Sequence, residues 1–356
     1  MYRSRNMSVL VDDFVRKFRV ESEFNQFLRK LDNKANIFST SNAKGIVDEY
    51  KNTRFMGTYS GKYEKAVAEL IEASDLVLHI GKFEHELNCG AFTFNIPDEN
   101  LIILSSQYIQ IGDKFDESLT LMEVLPALID RIETIKLSNA NVYQAPAKYY
   151  QVSETARPRV SSLHQDDLIE SLNKNLKEDD VLIVETCSFL FAVPDLTLRR
   201  SKLIIQSYWA SIGYALPATL GASLALRDFN LPGKVVSIEG DGSAQMSLQE
   251  LSSMLRYNID ATLIILNNSG YTIERVIMGP YSSYNDINAN WQWCELLRTF
   301  GDTTKEKSES CKVTTPHELN KLLSDETFIN NKKFKLLELV LPMFDIPPKL
   351  NAFVRN

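Results

Sequence analysis

The chain has 356 residues, 44% of them hydrophobic, with a net charge of −7 and a pI near 5.4, enough for large buried cores and most naturally two domains. Its Lys and Arg residues are dispersed among acids, with no basic block long enough to follow a nucleic-acid backbone, so no nucleic-acid partner is expected. Cys89, Cys187, Cys294 and Cys311 form no CxxC pair, and His79, His85, His164 and His317 form no HExxH or Cys/His cluster, which argues against zinc and against a disulfide framework.

The first residues, MYRSRNMSVLVDDF, meet Asp12 and Asp13 before any signal-like run develops. No later segment reaches the ~20 apolar residues that cross a bilayer, so a soluble, cytoplasmic protein without a membrane partner is expected. Apolar runs then alternate with helical patterns, the signature of βαβ units and parallel sheets. Lys62–Ala73 reads as a helix, Ser74–Gly81 and Asn100–Ser106 as buried strands, and Thr120–Ile132 as a helix carrying Pro126 near its middle. No phosphate-binding glycine loop stands out in residues 1–137, and local hydrogen bonds are assigned to His79 and His85, so this part is expected to be structural. Residues 138–163 are polar, include Pro146 and Pro158, show no sustained periodicity and read as a linker. Beyond it, Asp179–Thr186, Lys234–Gly242, Ala261–Gly270 and Phe334–Leu341 read as strands, with Met246–Tyr257 a helix between the middle two. The expected fold class is α/β: two domains, residues 1–137 and 164–356, each a mainly parallel sheet flanked by helices.

Chemistry gathers between Lys234 and Gly270, where a strand, GDG, a helix, a second strand and NNSG follow one another. In a parallel sheet with helical crossovers, Asp241 and Asn268 both fall just past the carboxyl ends of strands, the edge where doubly wound sheets bind ligands. Gly240 and Gly242 permit a sharp turn and a close approach of backbone to phosphate. Ser243 and the amides near it can donate to an anionic oxygen at the start of the following helix. Asp241 offers a carboxylate, Asn268 an amide oxygen and Gly270 a backbone carbonyl. One formal charge among three hard donors is weak for a dedicated cation cage, yet suits Mg²⁺ already held by a diphosphate. GDG alone, or Asn-Asn alone, is ordinary turn chemistry; the two on successive strand ends are not.

GDGSAQMSLQEL and IILNNSGYTIERVI together resemble the thiamine diphosphate motif of pyruvate decarboxylase and its fungal relatives. YWASIGYALPATLGASLAL (Tyr208–Leu226) is similar to the segment that grips the cofactor rings in that family, and VETCSF (Val184–Phe189) to the strand end at its diphosphate. FMGTYSG and LNCGAFTF resemble the family's middle domain, and GPYSSYNDI and LELVLPMFDIPPKL its carboxyl-terminal part. The resemblance implies a 2-oxo acid decarboxylase using thiamine diphosphate and Mg²⁺, acting on a small-molecule 2-oxo acid, and assembling as a homo-oligomer or with a full-length homologue. Carried over by position, Asp241, Asn268 and the Gly270 carbonyl bind Mg²⁺, while Ser188 and Ser243, with Gly240 and Gly242, contact the diphosphate. Ile212 bends the cofactor and the Ala210 carbonyl holds its amino group. Glu274 steers decarboxylation and protonation beside the substrate carboxylate, and Ile273 lines the substrate pocket. By residue type alone, Ile212 and Ile273 read as core and Glu274 as a surface acid paired with Arg275 or solvent. Position within the motif reverses this for Ile212 and Glu274. Trp209, Trp291 and Trp293 are expected to be packing residues, and the glycines around Gly213 and Gly221 are not a dinucleotide fingerprint.

Full-length members of that family have three domains, and this chain matches the last two. The amino-terminal domain supplies the glutamate that activates the cofactor, and a histidine pair; no His-His pair occurs here. The expectation is therefore non-oxidative decarboxylation of a 2-oxo acid to an aldehyde and CO₂, with the isolated chain inactive or very slow. Pyruvate is one candidate substrate. EGDGSAQM and YTIERVIMGPYSSYNDI tip the balance towards a bulkier 2-oxo acid derived from aromatic or branched amino acids. The alternative is a non-catalytic thiamine diphosphate-binding regulatory or scaffold protein, since retained metal ligands without the activating glutamate fit that role as well.

Overall fold

The computed structural model describes residues 4–132, 162–287 and 291–354, and the chain divides into two compact units, residues 1–149 and 150–356. Residues 138–161 of the expected linker lie outside the described residues. Both units are α/β, each a mostly parallel sheet flanked by helices.

In the first unit the strands are β1 (Met7–Val11), β2 (Asn36–Ser39), β3 (Phe55–Thr58), β4 (Leu76–Ile80), β5 (Leu101–Leu104), β6 (Ile109–Ile111) and β7 (Lys114–Asp116). Their spatial order is β3-β2-β1-β4-β5-β6-β7. Pairing is parallel from β3 to β5 and antiparallel through β6 and β7. Every residue of β1, β2 and β4 is buried, as strands covered on both faces must be. Phe24, Phe27 and Leu31 of the helix Glu21–Leu31 share one core with Leu121, Leu125 and Ile129 of the helix Leu121–Ile132. Val67, Ala68 and Ile71 of the helix Lys65–Glu72 form a second core with Leu10, Phe38 and Val77. The β6–β7 hairpin, made of two three-residue strands, is too short to carry a readable period.

The second unit holds β8 (Val181–Val184), β9 (Lys202–Ile205), β10 (Val235–Gly240), β11 (Ala261–Asn267), β12 (Ser308–Val313) and β13 (Phe334–Val340). Their order is β12-β13-β11-β10-β8-β9, with every pairing parallel. The chain runs from β8 outwards to β9 and then back to β10 on the other side. β8 and β10 therefore flank the point where the strand order reverses, the place where open α/β sheets bind ligands. The helix expected over Met246–Tyr257 begins only at Glu250 and ends at Arg256, with turns before it. Trp293 is fully buried and stacks with Trp291 at 5.4 Å between ring centroids. Trp209 is not a packing residue within this chain: it is 75% exposed. Among the described residues, no helix is long and apolar enough to cross a membrane.

Candidate cofactor and metal site

β10 ends at Gly240 and β11, its parallel neighbour, at Asn267, so Asp241 and Asn268 emerge side by side. Asp241 is buried; its Oδ1 accepts from Gly242 N at 2.8 Å and its Oδ2 from Gly270 N at 3.0 Å. Burial pushes the Asp241 carboxyl up to about 7, against those backbone donors and the positive charge of Arg275. One terminal atom of the Asn268 amide lies 3.2 Å from Asp241 Oδ1 and 2.7 Å from the Gly270 carbonyl oxygen. As nitrogen, that atom donates to both, while the amide oxygen accepts from Thr272 Oγ1 at 2.8 Å. As oxygen, it is a third acceptor facing two others, an arrangement that calls for a cation among them. The same pocket of atoms thus satisfies itself without a metal and offers three hard oxygens to one. Among the described residues no three His, Cys, Asp or Glu side chains gather as metal ligands, so a borrowed charge, such as a diphosphate, must complete any such site.

Arg275, fully buried, clamps this turn from behind. Its Nη1 donates to the Asn268 carbonyl at 3.1 Å, and its Nη2 to the Ser269 carbonyl at 2.6 Å and to Asp286 Oδ1 at 2.7 Å. Gly270 has φ +138, and a Cβ there would stand 2.2 Å from the Asn285 carbonyl oxygen and 2.7 Å from Arg275 Nη2. Only glycine fits. The chain turns directly from β10 into the short helix Asp241–Ala244, but neither Gly240, at φ −82 and ψ 151, nor Gly242, inside that helix, adopts a backbone conformation reserved for glycine. What Gly242 makes room for is the Tyr271 ring, 2.5 Å from where a Cβ would be.

The serine hydroxyls face inward. Ser243 Oγ donates to Glu239 Oε1, and Ser188 Oγ donates to Gln165 Oε1 at 3.1 Å. Glu274 is exposed and Ile273 half-buried, both in the first turn of the helix Thr272–Met278 that follows Gly270. Arg275 is spent on the turn and on Asp286, so the pairing of Glu274 with Arg275 weighed from the sequence is not made. Ala210, at φ +50, and Ile212 lie in an exposed loop, with Tyr208 48%, Trp209 75% and Ile212 51% exposed. Gly213 joins that loop to the Ser243 side: its carbonyl accepts from Ser247 Oγ at 2.8 Å.

Two carboxylates that the sequence reading passed over stand at the reversal point. Glu185 follows β8 and Glu239 lies near the end of β10; both are completely buried. Burial first, and then the negative charge of Glu185, hold the Glu239 carboxyl well above the usual range. Glu239 Oε2 has no hydrogen-bond partner in the protein. The signal was present: VLIVE and VVSIE each close an apolar run on an acid.

Residues 191–339 match the family described as thiamine pyrophosphate enzyme, C-terminal TPP binding domain, and residues 1–132 match its central domain. The chain is 35% identical to a transaminated amino acid decarboxylase of Saccharomyces cerevisiae, over 99% of this chain and 59% of that protein. It is 34% identical to pyruvate decarboxylase isozyme 1 of the same organism, over 88% of this chain and 54% of that protein. The chain thus spans between half and two thirds of the length of these relatives. Benzoylformate decarboxylase from Polynucleobacter necessarius has the same fold, with a TM-score of 0.67 at 18% identity over 97% of this chain and 63% of that one. The chain belongs to the thiamine pyrophosphate enzymes, of which it carries the central domain and the carboxyl-terminal TPP-binding domain.

Proposed function

We propose that this chain binds thiamine diphosphate with Mg²⁺ at the carboxyl edge of β10 and β11 and serves the non-oxidative decarboxylation of a 2-oxo acid to an aldehyde and CO₂. One observation carries the reading: the buried convergence of the Asp241 carboxylate, the Asn268 amide and the Gly270 carbonyl. Adjacent oxygens on an octahedral Mg²⁺ stand about 2.9 Å apart, close to the 2.7 and 3.2 Å separations here. Those three groups would hold the metal. Gly240, Gly242, Ser188 and Ser243 would meet the diphosphate, the serines through their amides while their hydroxyls stay on Gln165 and Glu239. Ala210 and Ile212 would meet the rings, and Ile273 and Glu274 the substrate, with the Glu274 carboxyl available to move a proton there. When bound, thiamine diphosphate supplies the electron sink that loss of CO₂ requires.

The names of two relatives, one for pyruvate and one for transaminated amino acids, support a 2-oxo acid as substrate. Because Tyr208, Trp209 and Ile212 stand exposed, we infer that turnover needs cover over the ring end from a full-length homologue. The test is CO₂ release from pyruvate and from phenylpyruvate by three samples: this chain, a full-length homologue whose own metal site is disabled, and their mixture. Turnover in the mixture alone is expected. Cofactor binding with no turnover in any sample would replace the enzyme reading with a regulatory, cofactor-binding one.

A further inference from the structure

Glu185 is a completely buried acid at the reversal point of the second sheet, and its carboxylate accepts from backbone of two separate segments. Oε1 accepts from Thr186 N at 2.9 Å and from Gly213 N at 3.1 Å; Oε2 accepts from Ala215 N at 2.7 Å. Ala215 is the first residue of the helix Ala215–Asp228, whose preceding residue, Tyr214, makes no side-chain cap. A carboxylate on a neighbouring strand therefore caps this helix, placing negative charge at the positive end of its dipole. The other contact, to Gly213, fixes the buried end of the exposed loop that carries Ala210 and Ile212.

Gly213 is held from every side. It has φ +85, a Cβ on it would stand 2.6 Å from the Met246 Cβ, and its carbonyl accepts from Ser247 Oγ at 2.8 Å. Met246 and Ser247 lie three and four residues after Ser243 of the GDGS turn, and that turn is tied back by Ser243 Oγ donating to Glu239 Oε1 beside Glu185. One buried carboxylate thus joins the strand end that leads to Ser188, the loop that leads to Ile212, and through Gly213 the segment after Asp241. Nothing in this set requires Glu185 to reach a ligand.

We propose that Glu185 is a positioning residue: it fixes the loop bearing Ala210 and Ile212 relative to the metal and diphosphate turn, and so sets the affinity for the rings of the cofactor and not for its diphosphate. This rests on the cofactor reading given above. The consequence separates the two ends of the ligand. Loss of Glu185 leaves Asp241, Asn268, Gly270 and the Arg275 clamp in place, because none of their hydrogen bonds passes through it, and Ser188 and Ser243 keep their own bonds to Gln165 and Glu239.

The experiment uses the full chain and two probes in the presence of Mg²⁺, inorganic pyrophosphate and thiamine diphosphate, titrated calorimetrically into wild type, Glu185→Gln and Ser247→Ala. Wild type binds thiamine diphosphate more tightly than pyrophosphate. In Glu185→Gln the pyrophosphate affinity stays within about 2-fold while the thiamine diphosphate affinity falls about 10-fold or more, towards that of pyrophosphate. Ser247→Ala, which frees the far side of the same glycine, gives a smaller selective loss, and it decides the matter if Glu185→Gln does not fold. A variant that folds and loses both probes equally, or neither, overturns the proposal while the cofactor reading stands. Wild-type chain that binds neither probe overturns both.

Discussion

Each of the two sheets has an aspartate just past a strand at the point where its strand order reverses, and the two aspartates live in opposite circumstances. Asp12, after β1, has every acceptor position filled by protein. Oδ1 takes Asp13 N, Thr40 Oγ1 and Asn88 Nδ2 at 2.7, 2.7 and 2.8 Å, while Oδ2 takes Phe83 N and His79 Nε2 at 2.9 and 3.0 Å. Burial alone would raise its carboxyl; the bond from His79, that ring's charge and the backbone donor outweigh it and leave it below the ordinary range. Asp241, equally buried, receives too few donors and is pushed up to about 7. Both aspartates flank the reversal point of their sheet, yet one is a structural knot with its acceptors filled by protein, and the other keeps a raised carboxyl beside two carbonyl-type acceptors. Position at a strand end alone therefore does not separate a structural aspartate from a candidate ligand-binding one; the donors around it do.

That contrast can be broken at either aspartate. The largest effect is expected from Asp12→Ala, which strands the buried Thr40, Asn88 and His79 donors and should cost about 3–5 kcal/mol. The loss should appear as a lower midpoint of the far-ultraviolet dichroism in a denaturant titration; a midpoint equal to that of wild type would contradict it. Arg275→Met should come next, at about 2–4 kcal/mol. It leaves the Asn268 and Ser269 carbonyls and Asp286 without their partner, so Mg²⁺-dependent ligand binding should weaken with stability. Unchanged Mg²⁺ affinity in a folded Arg275→Met chain would show that the clamp does not shape the site.

The smallest effect is expected beside Asp12, at His85, whose ring is 3.1 Å from Asn42 Nδ2. Burial lowers His85 from 6.5 to about 4, so the unfolded chain takes up the proton first as pH falls. The stability this ring contributes is fully present above pH 6.5 and is lost towards pH 4, with solvent at the site limiting the change to on the order of 2 kcal/mol. Melting temperature between pH 7 and 4.5 should fall less steeply in His85→Gln than in wild type; parallel slopes would remove His85 from the account.

Much of this architecture was legible in the sequence. Runs such as DDVLIVET and ATLIILNNSG announced buried parallel strands, because strands covered on both faces are apolar throughout, and ends moved by only a few residues. The helix expected from Met246 starts four residues later because Met246 and Ser247 are committed to Gly213. Asp241, Asn268 and Gly270 could be placed because consecutive strand ends of a parallel sheet bring them to one edge. Glu185 and Glu239 could be marked only as acids closing apolar runs, and Arg275 not at all, since the roles of all three depend on which groups face them across neighbouring strands and turns. That information lives in tertiary contacts 28 and 30 residues apart for Glu185, not in local period.

The proposed binding of a metal-held diphosphate at Asp241 can be measured by calorimetric titration of the purified chain with thiamine diphosphate, with Mg²⁺ present and omitted, alongside Asp241→Ala. Saturable binding that requires Mg²⁺ and falls at least about 100-fold in Asp241→Ala is expected. Binding that ignores Mg²⁺, binding unaltered in Asp241→Ala, or no binding by folded wild-type chain would contradict it.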